Sequence, residues 1–190
     1  SMAGSGLLAM KEGQIEGIGN NDITPIIEAA DVEGFEINST NITPMIRDVF
    51  AQGNLEITDL EAPFSISRGS LQFRNISLSG AVSGGRSAPV GSVEIDLISG
   101  EQSTEIRLFP DPGKQSVSGG NPDVRLSWSG LVGAPKLAVD SAAMEGYLSI
   151  RSFENEQRRV EILQASILEK QRFRYELLKS RSRDQWLFAK

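Results

Sequence analysis

A chain of 190 residues with 39% apolar and 23% charged side chains has room for one sizeable core, and its composition excludes a disordered polypeptide. It contains no cysteine and no histidine, which removes disulfides, thiolate metal sites, a cysteine nucleophile, the usual general base near neutral pH and the commonest metal ligand. The net charge of −6 divides into 9 basic against 19 acidic residues over 1–150 and 10 against 6 over 151–190, and so acidic a body excludes a general nucleic-acid-binding role.

In chain order, residues 7–18 show short apolar segments around Lys11, Glu12 and Gly13, which predicts a hairpin with a glycine-containing turn. Two related segments follow, Ile23-Thr24-Pro25-Ile26-Ile27-Glu28 and Ile42-Thr43-Pro44-Met45-Ile46-Arg47. In each, threonine can cap a helix whose first residue is proline, where the missing N–H costs nothing and the fixed φ suits the helix. Two short helices are expected at about 23–31 and 43–52, with Gly34 and Gly53 beyond their ends in the left-handed conformation that terminates helices.

From Leu55 the period changes to two. Phe64/Ile66, Leu71/Phe73, Ile76/Leu78, Val93/Ile95/Leu97, Ile106/Leu108 and Val124/Leu126/Trp128 alternate with polar residues, as half-buried antiparallel strands do. Arg68-Gly69 suits a hairpin turn, and Gly84-Gly85, Gly100 and the polar loop 110–122 supply further breaks. The apolar phase slips between Phe73 and Ile76, so a bulge or bend is expected near Arg74-Asn75.

After Pro135 the pattern becomes helical. Asp140 or Ser141 can cap a proline-free helix from about 142 to about 180, a length of roughly 55–60 Å at the helical rise. Ile150, Phe153, Val160, Leu163, Ile167, Tyr175 and Leu178 fall on one broad side, the pattern of a helix packed on a sheet. Ile162, Phe173 and Leu177 lie nearly opposite and are candidates for docking a partner. Trp186, Leu187 and Phe188 add an apolar patch near the end, and the charges between Glu154 and Arg174 fit an exposed face laced with weak ion pairs.

The expected architecture is therefore α+β: a β-rich body over 1–140, mainly antiparallel and curved or groove-like, with two short helices near its N-terminus. A long amphipathic helix and apolar tail occupy 141–190, and the whole reads as a single domain, a fragment of a longer protein. No stretch approaches the ~20 apolar residues a membrane span needs, and no export signal is legible. Ser1-Met2 reads as an expression remnant, so an anchor or signal belongs to the expectation for the parent protein.

No phosphate loop, nucleophile elbow, metal-ligand motif or dinucleotide fingerprint occurs, and no cofactor is called for. Glu12, Glu16, Glu28, Glu94, Asp96 and Glu105 mostly take polar positions of alternating segments, a solvated face. Three matches to the glycosylation pattern, at Asn38, Asn41 and Asn75, carry no weight because the pattern is so short.

The order of segments GQIEG, LEAPFSISRGSLQFRNISLSG, VRLSWSGLVGAPKLAVD and SIRSFENEQRRVEILQA resembles the C-terminal region of AsmA-family proteins over nearly the whole chain. The most specific part is the final strand, a G-x-x-x-x-P connection and the Arg/Glu-rich helix, residues 124 to about 170. The resemblance implies the periplasmic part of an inner-membrane-anchored protein with a role in outer-membrane assembly. The resembled family is related to bridge-like proteins whose open β grooves carry phospholipid tails, and the resemblance transfers no catalytic residue.

Two functions compete. The chain is a lipid-transport module whose groove holds phospholipid acyl chains, or it is an interaction module whose helix docks another envelope protein or a second copy. Alternation alone nominates Phe64, Ile66, Leu71, Phe73, Val93, Ile95, Leu97, Ile106, Leu108, Leu126 and Trp128, and the same residues would equally form an ordinary sheet-and-helix core. An enzyme would have to work with carboxylates or a Ser/Lys pair alone.

Overall fold

Period-two alternation does build strands. The computed structural model describes residues 3–19, 22–78 and 85–187, with side chains as far as 179. Among them, seven strands form one open antiparallel sheet in chain order. They are β1 (Gly4–Glu16), β2 (Asn54–Ser67), β3 (Ser70–Ser77), β4 (Val90–Asp96), β5 (Glu101–Leu108), β6 (Val124–Leu131) and β7 (Lys136–Asp140). Helices α1 (Thr24–Ala30) and α2 (Ser39–Phe50) lie in the β1–β2 connection, and α3 (Ala142–Leu187) follows β7, so the class is α+β.

The turn chemistry is local and direct. Arg68 and Gly69 both have positive φ, 51° and 81°, as a two-residue hairpin requires, and Ser67 faces Ser70 across it. The β3–β4 register shifts between Phe73/Val93 and Ile76/Gly91, with Asn75 at φ 53°. That bulge keeps Phe73 and Ile76 on one face despite the phase slip.

The opening hairpin is corrected: residues 4–16 form one strand. Its partner comes from β2, in a single register that runs from Gly4↔Ile66 to Glu16↔Asn54. Glu12 adopts the positive φ, 60°, that a turn would use, but the chain continues through it. Opposite it β2 changes phase, with Leu55 and Ile57 buried on one side and Leu60 and Ala62 on the other. The Lys-Glu-Gly signal thus marks a twist in a long two-stranded ribbon.

The helix starts also differ from expectation. Asn38 accepts the Asn41 N–H at 3.0 Å through Oδ1, so α2 begins at Ser39, before the expected Thr43 cap. Pro44 then falls inside the helix, where it cannot donate to the carbonyl one turn back. In α1 the side chain of Thr24 is no cap. Its N–H and hydroxyl donate to Asp22 Oδ1 at 2.8 and 2.6 Å, and those bonds, the hydroxyl first, hold the Asp22 carboxyl below its usual range.

Residues 136–140, between Pro135 and the helix cap, form a strand, β7, that was not among the expected elements. Asp140 Oδ1 accepts the Ala142 N–H at 3.1 Å, and the Ser141 hydroxyl donates to Glu145 while receiving the Thr43 hydroxyl at 3.2 Å. The first turns of α3 complete one core with Ile26, Ile27, Ile42, Ile46, Phe50, Leu55, Ile57, Leu108, Val124 and Leu126, through buried Met144, Tyr147 and Leu148. Tyr147 also donates its hydroxyl to the Gln115 carbonyl at 2.8 Å, tying the 110–122 loop to the helix.

The chain divides into two compact units, Ser1–Ile150 and Arg151–Lys190. In the first unit the buried Met144, Tyr147 and Leu148 lie, at 100° per residue, on the side of α3 away from the expected stripe, and in the second unit Phe153, Val160, Leu163, Ile167, Tyr175 and Leu178 are 47–69% exposed. Ile162, Phe173 and Leu177 are exposed as well, so apolar residues run round the second unit. The apolar patch Trp186, Leu187 and Phe188 lies outside the described side chains, and Gly84 outside the described residues. No helix among the described residues is long and apolar enough to cross a membrane.

Candidate functional site: an apolar depression on the sheet's inner face

Residues directly opposite across neighbouring strands share a face, so the registers set side chains in rows. One row is Ile76, Gly91, Ile106, Leu126 and Val139; the next is Phe64, Phe73, Val93, Thr104, Trp128 and Leu137. Beyond it lie Ile66, Leu71, Ile95, Gln102 and Gly130. Burial falls along this sequence. Leu108, Val124 and Leu126 are sealed in the helix-covered core, Ile76 and Ile106 are nearly so, and Phe73, Val93 and Trp128 are half-buried.

At the boundary between sealed and open rows is a depression of about 370 Å³, within the range of small-molecule sites. Its walls are Ile15 to Ile18 after the β1 twist, Leu60 of β2, Ile76 near the end of β3 and Leu78 just beyond it, and Val93, Ile106 and Trp128.

A split in the sheet makes room for it. β2 pairs with β3 only through Phe64–Ser67, and past the Asn75 bulge β3 pairs with β4 alone. Pro63 directly follows the last β2–β3 pair and has no N–H to extend the ladder.

The lining is mainly hydrocarbon, with polar atoms from Ser92, Gln102, Thr104 and Glu16. Glu16 is the ionisable side chain among the described lining residues, and no Lys or Arg stands there. Such a surface binds by removing apolar groups from water, about 0.8 kcal/mol per buried methylene, and offers no cationic clamp for a phosphate.

The nominated residues separate by place. Val93, Ile106 and Trp128 line the depression. Phe64, Ile66, Leu71, Phe73 and Ile95 continue the half-buried rows beside it, Phe64 and Phe73 with ring centroids 5.6 Å apart. Leu108 and Leu126 belong to the sealed core, and Leu97 stands exposed beyond the end of β4.

Ile15, Ile18 and Leu60 are not among the nominated residues, because the hairpin reading hides the first two and the phase change in β2 hides Leu60. Ile76 and Leu78 did carry the alternation. Gln102 and Thr104 face inward on the same alternation as Ile106 and Leu108, with polar side chains where apolar ones were sought. No family model, no curated protein and no solved structure matches this chain.

Proposed function

We propose that this chain is a non-catalytic periplasmic module of an AsmA-like, inner-membrane-anchored protein. It would serve outer-membrane biogenesis and phospholipid transport from the inner to the outer membrane. The depression is then one stretch of a trough in which acyl chains lie against Val93, Ile106, Trp128, Leu60 and Ile76. The observation that carries this reading is the juxtaposition of an apolar hollow with rows of half-buried apolar side chains that no described element of residues 1–150 covers completely. A fully packed core would leave neither. The segment order that resembles AsmA proteins adds the envelope setting.

Titration with a fluorescent fatty-acyl probe tests the proposal. Saturable binding is expected, weakened at least tenfold by Val93→Asp, since a carboxylate in the trough must be desolvated when the chain enters. Glu94→Gln, on the other face of the same strand, should leave binding unchanged. Absence of binding, or equal binding by Val93→Asp, contradicts the proposal.

A second reading, an interaction module, draws on the exposed apolar residues of α3. Ile162, Phe173 and Leu177 are the contacts it would use for another envelope protein or a second copy.

A further inference from the structure

The two edges of the sheet are built differently. β7 ends it in five residues, directly after Pro135, with Lys136 and Asp140 at its tips. Short length, charge and proline are the devices that keep an edge from pairing. β1 ends it in thirteen residues, and Gly4 to Met10 contains no charge and no proline. Its described partner is β2 alone, and Leu7 and Leu8 are 58% and 49% exposed.

We propose that β1 is a dimerisation strand that pairs antiparallel with β1 of a second copy, about a two-fold axis at Leu8. Three observations select a second copy as the occupant. Over Gly4 to Met10 an identical strand meets no like charge, although the bodies are acidic. One open edge and one blunted edge make a closed pair that cannot grow into a fibre.

The third observation is the fit in size. The Arg68-Gly69 hairpin makes Ser67 and Ser70 a bonded pair, and alternation along the ladder turns the backbone groups of Ala62 to β1 and those of Leu8, its partner, to β2. Leu7 and Ala9 thereby offer theirs at the open edge. An axis at Leu8 pairs Leu7 with Ala9 there. On the inner face it sets Leu8 against Leu8 of the second copy and small Gly6 against long Met10. Gly6, Leu8 and Met10 lie on the face of Phe64, Ala62 and Leu60, so the inner faces of the two copies become continuous. The inference is independent of whether that face holds lipid.

The chain has no cysteine, so single-cysteine variants report the register cleanly. Leu8 would sit in a non-bonded pair with Cα atoms about 4.5 Å apart, within disulfide reach. Sedimentation of the full chain over a wide concentration range should show a monomer–dimer equilibrium, strengthened by salt as the acidic bodies are screened.

Mild oxidation should link Leu8→Cys into a dimer far faster than Ala9→Cys, and Leu8→Lys should weaken dimerisation at least tenfold with an unchanged circular-dichroism spectrum. A monomer at every concentration overturns the proposal. So does a dimer that Leu8→Cys fails to cross-link, which would place the contact elsewhere, for example on α3.

Discussion

Asp96 shows how a single side chain fixes a turn. Its Oδ1 accepts the N–H groups of Ile98 at 2.7 Å and Ser99 at 3.0 Å, and those bonds, that from Ser99 first, hold its carboxyl below the usual range. A depressed folded value means the contribution to stability is complete above the ordinary carboxylate pKa and is lost as pH falls through the folded value. The Ile98 and Ser99 amide shifts should therefore titrate with a midpoint below that of an unperturbed aspartate, and Asp96→Asn should remove that titration. A midpoint at the ordinary value contradicts the assignment. At this scale the sequence was legible wherever residue type dictates φ: Arg68-Gly69 and the Asn75 bulge were both readable. Glu12 was not, because a left-handed glutamate looks the same in a turn and in a twisted strand.

Elements were legible in proportion to the length of their period. Strands β2 to β6 announce themselves by alternation, and the residues behind the β3 bulge could be placed because Phe73 and Ile76 must share a face. β7 could not, since Lys-Leu-Ala-Val-Asp is five residues long and runs straight into a helix cap.

α2 starts four residues earlier than expected because two caps compete, and Asn38 wins by adding helical residues ahead of Thr43 at the cost of placing a proline inside the helical ladder. Pro44 is exposed and contributes no described core contact. Pro44→Ala should restore the missing bond and raise stability by about 1–2 kcal/mol, less than the full penalty of an interior proline because the unfolded chain gains freedom too. Denaturant unfolding measures it, and a loss of stability would show that the proline performs some other service there.

For the whole molecule, the class and the nominated face were readable, but the division of that face was not. Alternation says which side of a strand sheds water; it does not say whether another element or solvent lies opposite. Leu108 and Leu126 meet the helices, whereas Phe73, Val93 and Trp128 lie in the half-open rows, and all five look alike in sequence. In the long helix the buried side chains of the first unit are Met144, Tyr147 and Leu148, which periodicity does not single out because they precede the stripe it favours.

On the proposed function the hollow beside Val93 and Trp128 seats hydrocarbon, and the decisive measurement is native mass spectrometry of the full chain, purified without detergent from cells and again after extraction with organic solvent. Discrete adducts of phospholipid mass are expected on the unextracted protein, disappearing on extraction and depleted in Val93→Asp. A bare chain mass in every preparation, with Val93→Asp indistinguishable from the parent, would contradict it.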